Sequence, residues 1–136
     1  MKLLFICKYN AFRSRVAEEY FNKINRNKKI KTISRGLIMS GGSDKEQRQI
    51  AKDLLGINIA KRNPLPLRLN ELIEADKIIV VANDIPEIIF NYSLKPILKK
   101  VTIWKIKDEQ RRNKKNIKKI VLSIKEKVEE LSKKWN

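Results

Sequence analysis

The chain has no histidine, one cysteine, four glycines and four prolines in 136 residues. Without an imidazole, a Ser-His-Asp or Cys-His mechanism is excluded. The same absence removes a common metal ligand, and a single thiol leaves no cysteine-based metal site and no intramolecular disulfide. No run approaches ~18 consecutive apolar residues and no secretory leader pattern opens the chain, so a cytoplasmic protein with no membrane partner is expected. Acidic residues are scarce as well: 15 Asp and Glu stand against 32 Lys and Arg, giving a formal net charge of +17. Such a surplus suits nucleic acid or another acidic partner. Lysine outnumbers arginine, however, and Ile and Asn are abundant, which also fits a general compositional bias or a lysine-rich, heat-adapted surface. The bias is the preferred reading, and nucleic-acid binding stays as the alternative.

What is present suffices for one domain, residues 1–136, with 42% hydrophobic residues to build its core. The most informative stretch is N-terminal. Leu3-Leu4-Phe5-Ile6 is too short for a helix and suits a buried strand that ends at Cys7. After a five-residue gap come Arg13 and Ser14, and then Val16, Ala17, Tyr20, Phe21 and Ile24 form one apolar stripe at helical spacing. Glu18, Glu19, Asn22 and Lys23 fall mostly off that stripe. The order is strand, short loop, helix, with the lone thiol at the strand's end and an arginine at the helix's beginning.

A loop of this length can turn its N–H groups inward, while the helix start adds unpaired donors and a positive dipole. The field that binds a phosphate also favours a thiolate over a thiol at Cys7. Arg13 can grip two oxygens of a tetrahedral anion through its planar fork, as lysine cannot. Ser14 can donate to the sulfur or cap the helix. Nucleophile, oxyanion nest and charge clamp are what covalent phosphoryl transfer requires. The alternative is a buried structural cysteine with an arginine nearby by chance.

Further along, Ile30 to Ser34 reads as a second strand closed by Gly36, and Leu37 to Gly42 as a loop. Ser43 with Glu46 three residues on predicts a capping box for a helix that runs to Leu55, buries Gln47, Ile50, Ala51, Leu54 and Leu55, and stops at Gly56. Asn58 to Leu67 is irregular, and Leu69 to Ala75 makes a short helix. Lys77 to Ala82 is a nearly continuous apolar run, as in a central parallel strand buried on both faces. Asn83-Asp84 starts another helix with Pro86 in its first turn and Ile88 and Ile89 inward. A fourth strand spans Lys99 to Ile106, with Val101 and Ile103 on one face and Thr102, Trp104 and Ile106 on the other. The last helix, about Asn113 to Trp135, buries Ile117, Ile120, Val121, Ile124, Val128 and Leu131 and presents lysines outward. Such alternation argues one α/β domain with a parallel sheet whose ligand site lies at the strands' C-terminal edge, where Cys7 is.

Cys7-Lys8-Tyr9-Asn10-Ala11-Phe12-Arg13-Ser14, followed by Ala17-Glu18, resembles the C-x5-R-S signature of the low-molecular-weight protein tyrosine phosphatases. That fold is shared with the thioredoxin-coupled arsenate reductases. The resemblance implies a single three-layer domain: a four-stranded parallel, doubly wound sheet with helices on both faces. It implies hydrolysis of a phosphomonoester, protein phosphotyrosine foremost, through a phosphocysteine on Cys7, with no metal or organic cofactor. Arg13 and the loop residues Lys8, Tyr9, Asn10, Ala11, Phe12 and Ser14 would hold the phosphate; Asn10, Ser14 and Ser34 would brace the loop. The substrate would be a phosphorylated protein or a small phosphomonoester, and the protein a monomer or weak oligomer.

The general acid in that family is an aspartate in an Asp-Pro pair beyond the fourth strand. Asp108 falls at that place, but Glu109 stands where the proline would be and no aromatic residues follow. Glu109 is the substitute acid, and Asp84 a third candidate that more readily caps its own helix. Tyr9 replaces the usual loop glycine, and Phe12 the second loop cysteine of many members. Ala11 favours neither phosphotyrosine nor phosphoarginine, and residues 37–42 offer no ring to stack on a substrate. Arsenate reduction passes a disulfide among three cysteines; with one, it would need an external thiol. A basic binding module with weak or no catalysis is the remaining alternative.

Overall fold

The computed structural model of the chain describes residues 1–90, 95–109 and 113–135. Its order is β1 (Lys2–Cys7), α1 (Arg13–Ile24), β2 (Lys31–Gly36), α2 (Lys45–Leu55), α3 (Leu69–Glu74), β3 (Lys77–Val81), α4 (Lys95–Leu98), β4 (Val101–Trp104) and α5 (Lys114–Lys133). The four strands form one parallel sheet in the order β2-β1-β3-β4. β1 therefore pairs on both edges, which is why its residues Leu3 to Ile6 are fully buried and its sequence shows no polar alternation.

Successive side chains leave the sheet on opposite faces. Leu3, Phe5, Ile79, Val81 and Trp104 join the larger core cluster under α1, α2 and α5. Leu4, Ile6, Ile78 and Val80 join the smaller one, closed by Ala75, Ile85, Phe90 and Ile97. Phe5 is the hinge of the larger cluster, with Phe21 and Trp104 rings each 6.1 Å away. On α5, Ile117, Val121, Ile124 and Val128 are fully buried at helical spacing. Each such side chain is worth about 1.5–3 kcal/mol of burial, which makes this helix the main lid of that face.

Three local expectations change. The α2 cap is Asp44, not Ser43, and its box partner is Gln47, not Glu46. The sequence offers both pairs one step apart, and burial of Gln47 selects the second. Leu54 is 38% exposed and so not part of the core. In place of a helix from Asn83-Asp84 there is a bend followed by a single 3-10 turn, Glu87–Phe90. Ile85 and Phe90 point inward there, while Ile88 is exposed. Gly56 does end α2 in the left-handed conformation, φ 65°. No helix among the described residues is long and apolar enough to cross a membrane.

Candidate active site

Cys7 closes β1 at the sheet's C-terminal edge and pairs in register with Gly36 of β2. The chain then loops through residues 8–12 into α1, which starts at Arg13. Asn10 sits at φ 55°, a left-handed conformation that asparagine tolerates better than most residues. This turn aims the Asn10 N–H at Cys7 Sγ, 3.3 Å away. The loop passes hard against β2: a Cβ on Gly36 would lie 2.6 Å from the Tyr9 carbonyl carbon and 2.7 Å from the Asn10 nitrogen. Only glycine fits beneath it. The Ile38 N–H donates to the Lys8 carbonyl at 2.9 Å and ties the loop to the segment after β2.

The Asn10 side chain is fully committed. Its Nδ2 donates to Ser14 Oγ at 2.7 Å and to Ser34 Oγ at 2.9 Å. Its Oδ1 accepts from the Leu65 N–H at 3.1 Å and from Arg62 at 3.2 Å. An amide has two donors and two acceptor positions, so none is left over, and its orientation is fixed. Ser14 Oγ, already accepting from Asn10, lies 3.0 Å from Cys7 Sγ and can give its proton there. Together with the Asn10 N–H, that places two donors on the sulfur.

Behind the loop runs a buried polar brace. Ser34 Oγ donates to Glu18 Oε1 at 2.7 Å while accepting from Asn10 and, at 2.7 Å, from Arg62. Arg62 also reaches Glu18 Oε1 at 3.0 Å and the Ser34 carbonyl at 2.8 Å. Arg15 pairs with Glu18 and Glu19 and donates through Nε to the Ile59 carbonyl at 3.2 Å. Burial pushes the Arg62 guanidinium below its ordinary range, the Glu18 carboxylate pulls it back up, and neighbouring Arg15 adds to the lowering. Among the described residues, no buried side-chain nitrogen or oxygen lacks a partner.

In front of the loop lies a cleft of about 350 Å³, lined by Cys7, Tyr9, Ala11, Phe12 and Arg13 together with Ser40, Gly42, Asp44, Gln47 and Asp108. The Arg13 guanidinium, 1% exposed, donates to the Ile106 carbonyl at 2.9 Å. Asp84 holds it in a two-oxygen pair at 3.2 and 3.3 Å, and Asp108 Oδ2 stands 3.7 Å away. The Asp108 Oδ1 accepts from the Glu109 N–H at 2.9 Å. Lys8 lies over the Tyr9 ring, 5.3 Å from its centroid. Among the described residues no group of three or more Cys, His, Asp or Glu could hold a metal ion.

The structure thus gathers Cys7, Tyr9, Ala11, Phe12, Arg13 and Asp108 around one cleft, with Asn10, Ser14 and Ser34 linked beneath it. Glu109 does not line that cleft; its side chain accepts from Asn116 Nδ2 at 3.2 Å. Asp84 serves Arg13 rather than standing as a plain helix cap. Sequence reasoning missed Asp44, Gln47 and Ser40 on the cleft wall and Arg62, Arg15 and Glu18 in the brace. The displaced capping box could have signalled Asp44 and Gln47; the other four carry no local signal.

A family model described as low molecular weight phosphotyrosine protein phosphatase matches residues 2–136. No curated protein matches the chain. Among solved structures, a low molecular weight protein tyrosine phosphatase from T. tengcongensis superposes with a TM-score of 0.84 at 23% identity, covering 98% of this chain and 99% of that one. A YwlE arginine phosphatase from Geobacillus stearothermophilus gives 0.80 at 16% identity, covering 98% and 91%. An arsenate reductase from Archaeoglobus fulgidus gives 0.69 at 22% identity, covering 96% and 98%. These likenesses concern the fold.

Proposed function

The chain belongs to the low molecular weight phosphotyrosine protein phosphatase family, and from that premise we propose that it hydrolyses phosphomonoesters on proteins, phosphotyrosine foremost, through a phosphocysteine on Cys7. It is a cysteine-dependent phosphatase in which Cys7 and Arg13 face one cleft. That shared cleft carries the reading. The Cys7 thiolate attacks phosphorus in line and the bond to the leaving oxygen breaks. Loop N–H groups and the Arg13 guanidinium hold the equatorial oxygens as charge builds on them. Asp108 in its acid form gives its proton to the leaving oxygen. In the second half, the Asp108 carboxylate takes a proton from water as water attacks the phosphocysteine. Inorganic phosphate leaves, and the thiolate and the acid are restored.

The test is hydrolysis of p-nitrophenyl phosphate at about pH 5 to 7, where general acid catalysis is engaged. Cys7→Ser is expected to abolish turnover and Asp108→Asn to slow it by roughly 10²–10⁴. An unchanged Asp108→Asn enzyme would remove Asp108 from the acid role. An inactive parent that still binds phosphate or nucleic acid would make the loop a binding site and overturn the enzyme reading.

One observation favours a second reading. Asp44 joins Asp108 in lining the cleft, so two carboxylates share a wall with Ser40, Gly42 and Gln47, while Tyr9 and Phe12 line the rest together with Cys7, Ala11 and Arg13. Two carboxylates suit a guanidinium leaving group, and a structure of similar fold is named an arginine phosphatase. Competition between phosphotyrosine and phosphoarginine peptides separates the two. On the second reading, Asp44→Asn lowers kcat/KM for the phosphoarginine peptide alone.

A further inference from the structure

Gln47 is 5% exposed and bridges two elements that are 62 residues apart. Its Oε1 accepts from the Asp44 N–H at 3.1 Å, which completes the α2 capping box. Since that partner is a donor, the other end of the amide must present Nε2, and Nε2 donates to the Glu109 carbonyl at 3.0 Å. The same Glu109 residue gives its N–H to Asp108 Oδ1 at 2.9 Å, and its carboxylate accepts from Asn116 at the start of α5. Residue 109 is therefore tied at its N–H, its carbonyl and its side chain.

We propose that Gln47 is a positioning residue for Asp108, holding the acid loop at the cleft through the Glu109 carbonyl. The proposal rests on the reading of Asp108 as general acid. A backbone without proline leaves φ free at position 109, so the loop needs an external tie to keep the carboxyl within proton-transfer distance. The Gln47 amide supplies that tie from a helix terminus already fixed by its own capping box. The wall that carries Asp44 and the loop that carries Asp108 then hold one fixed spacing across the cleft.

Gln47→Glu isolates the tie. Glutamate at this helix position still accepts from the Asp44 N–H, as capping boxes prefer, but has no proton for the Glu109 carbonyl. The readout is the dependence of kcat/KM on leaving-group acidity across a series of aryl phosphates. A well-placed acid makes that dependence shallow, because the poorest leaving groups gain most from protonation. For Gln47→Glu, kcat/KM on phenyl phosphate is expected to fall roughly tenfold further than that on 2,4-dinitrophenyl phosphate, the added charge acting on both alike. The competitive inhibition constant of vanadate should match the parent in Gln47→Met, which adds no charge to the cleft wall. Gln47→Met, which removes the donor without adding a charge, should give the same steepened dependence, and it decides the matter should Gln47→Glu melt early. A dependence as shallow as the parent's in both variants overturns the proposal. Asp108→Asn is measured alongside. If it too keeps the parent's dependence, the acid assignment has failed and the proposal falls with it; if it is steep while the Gln47 variants are shallow, the acid stands and only the tie is wrong.

Discussion

Asn10 Nδ2 donates to Ser14 Oγ at 2.7 Å, and because that amide nitrogen can only donate, the Ser14 proton is left for Cys7 Sγ at 3.0 Å. A residue two steps from the phosphate thus sets the direction of a hydrogen bond on the nucleophile. Ser14→Ala removes that donor. The rate of p-nitrophenyl phosphate turnover is expected to drop roughly tenfold, the loss of one hydrogen bond to the attacking sulfur. An unchanged rate would assign the sulfur's stabilisation to the loop N–H groups alone.

Gly36→Ala should fail at a different level. Its new Cβ meets loop backbone at 2.6 and 2.7 Å, and backbone cannot swing aside as a side-chain tip can. Overpacking of this kind costs about 1–3 kcal/mol. Chemical denaturation should show that loss. Vanadate affinity should fall with it, since the displaced atoms are those of Tyr9 and Asn10.

Asp84 competes with any anion for Arg13. Its two oxygens stand 3.2 and 3.3 Å from the guanidinium. Asp84→Asn keeps an acceptor for the guanidinium but removes a negative charge next to the anion site. Inorganic phosphate should then inhibit at concentrations roughly fivefold lower, a factor in keeping with one partly screened charge. Weaker inhibition would mean instead that Asp84 is needed to aim Arg13.

The contact between α1 and α5 has a pH signature. The Tyr20 hydroxyl donates to Glu129 at 2.9 Å. Burial, followed by the Glu129 hydrogen bond and charge, pushes the Tyr20 phenol up to about 12. The folded value lies above the unfolded one of about 10. This contribution is therefore complete below about pH 10 and is lost as the pH rises toward 12. Lys125 and then Tyr20 hold the Glu129 carboxyl below its ordinary range, so its share is present above the unfolded value and lost in acid. Tyr20→Phe should cost about 1 kcal/mol at neutral pH and should flatten the alkaline loss of stability in melting curves.

The elements with clean periodicity were legible: β1, β3, the stripes of α1 and α5, and the C-x5-R loop between strand and helix. Asn10 and Ser34 could be paired in advance because the family resemblance supplied the link; their spacing alone says nothing. The α2 cap slipped by one residue because Ser43–Glu46 and Asp44–Gln47 satisfy the same local rule, and only the distant Glu109 carbonyl distinguishes them. Arg15 and Glu18 look like solvated helix positions. They are buried because Arg62, 44 residues beyond Glu18, arrives from an irregular segment to complete their pairing. A charge cluster of buried Arg15 and Glu18 with half-buried Arg62, assembled from separate elements, has no period to read. Ile88 was misread for the converse reason: Pro86 suggested a full helix, and a single turn points different residues inward.

The brace also determines what a kinetic titration of this enzyme can report. In a sequence without imidazole, the contact to Asn10 and Ser34 from behind is made by a guanidinium. A guanidinium keeps its proton across the entire range in which such rates are recorded, even when burial lowers its affinity for that proton. The positive charge that Arg62 places under the loop is therefore constant during the titration. An inflection in a rate profile near neutrality therefore does not originate on this guanidinium, where a histidine in the same place would have added one of its own.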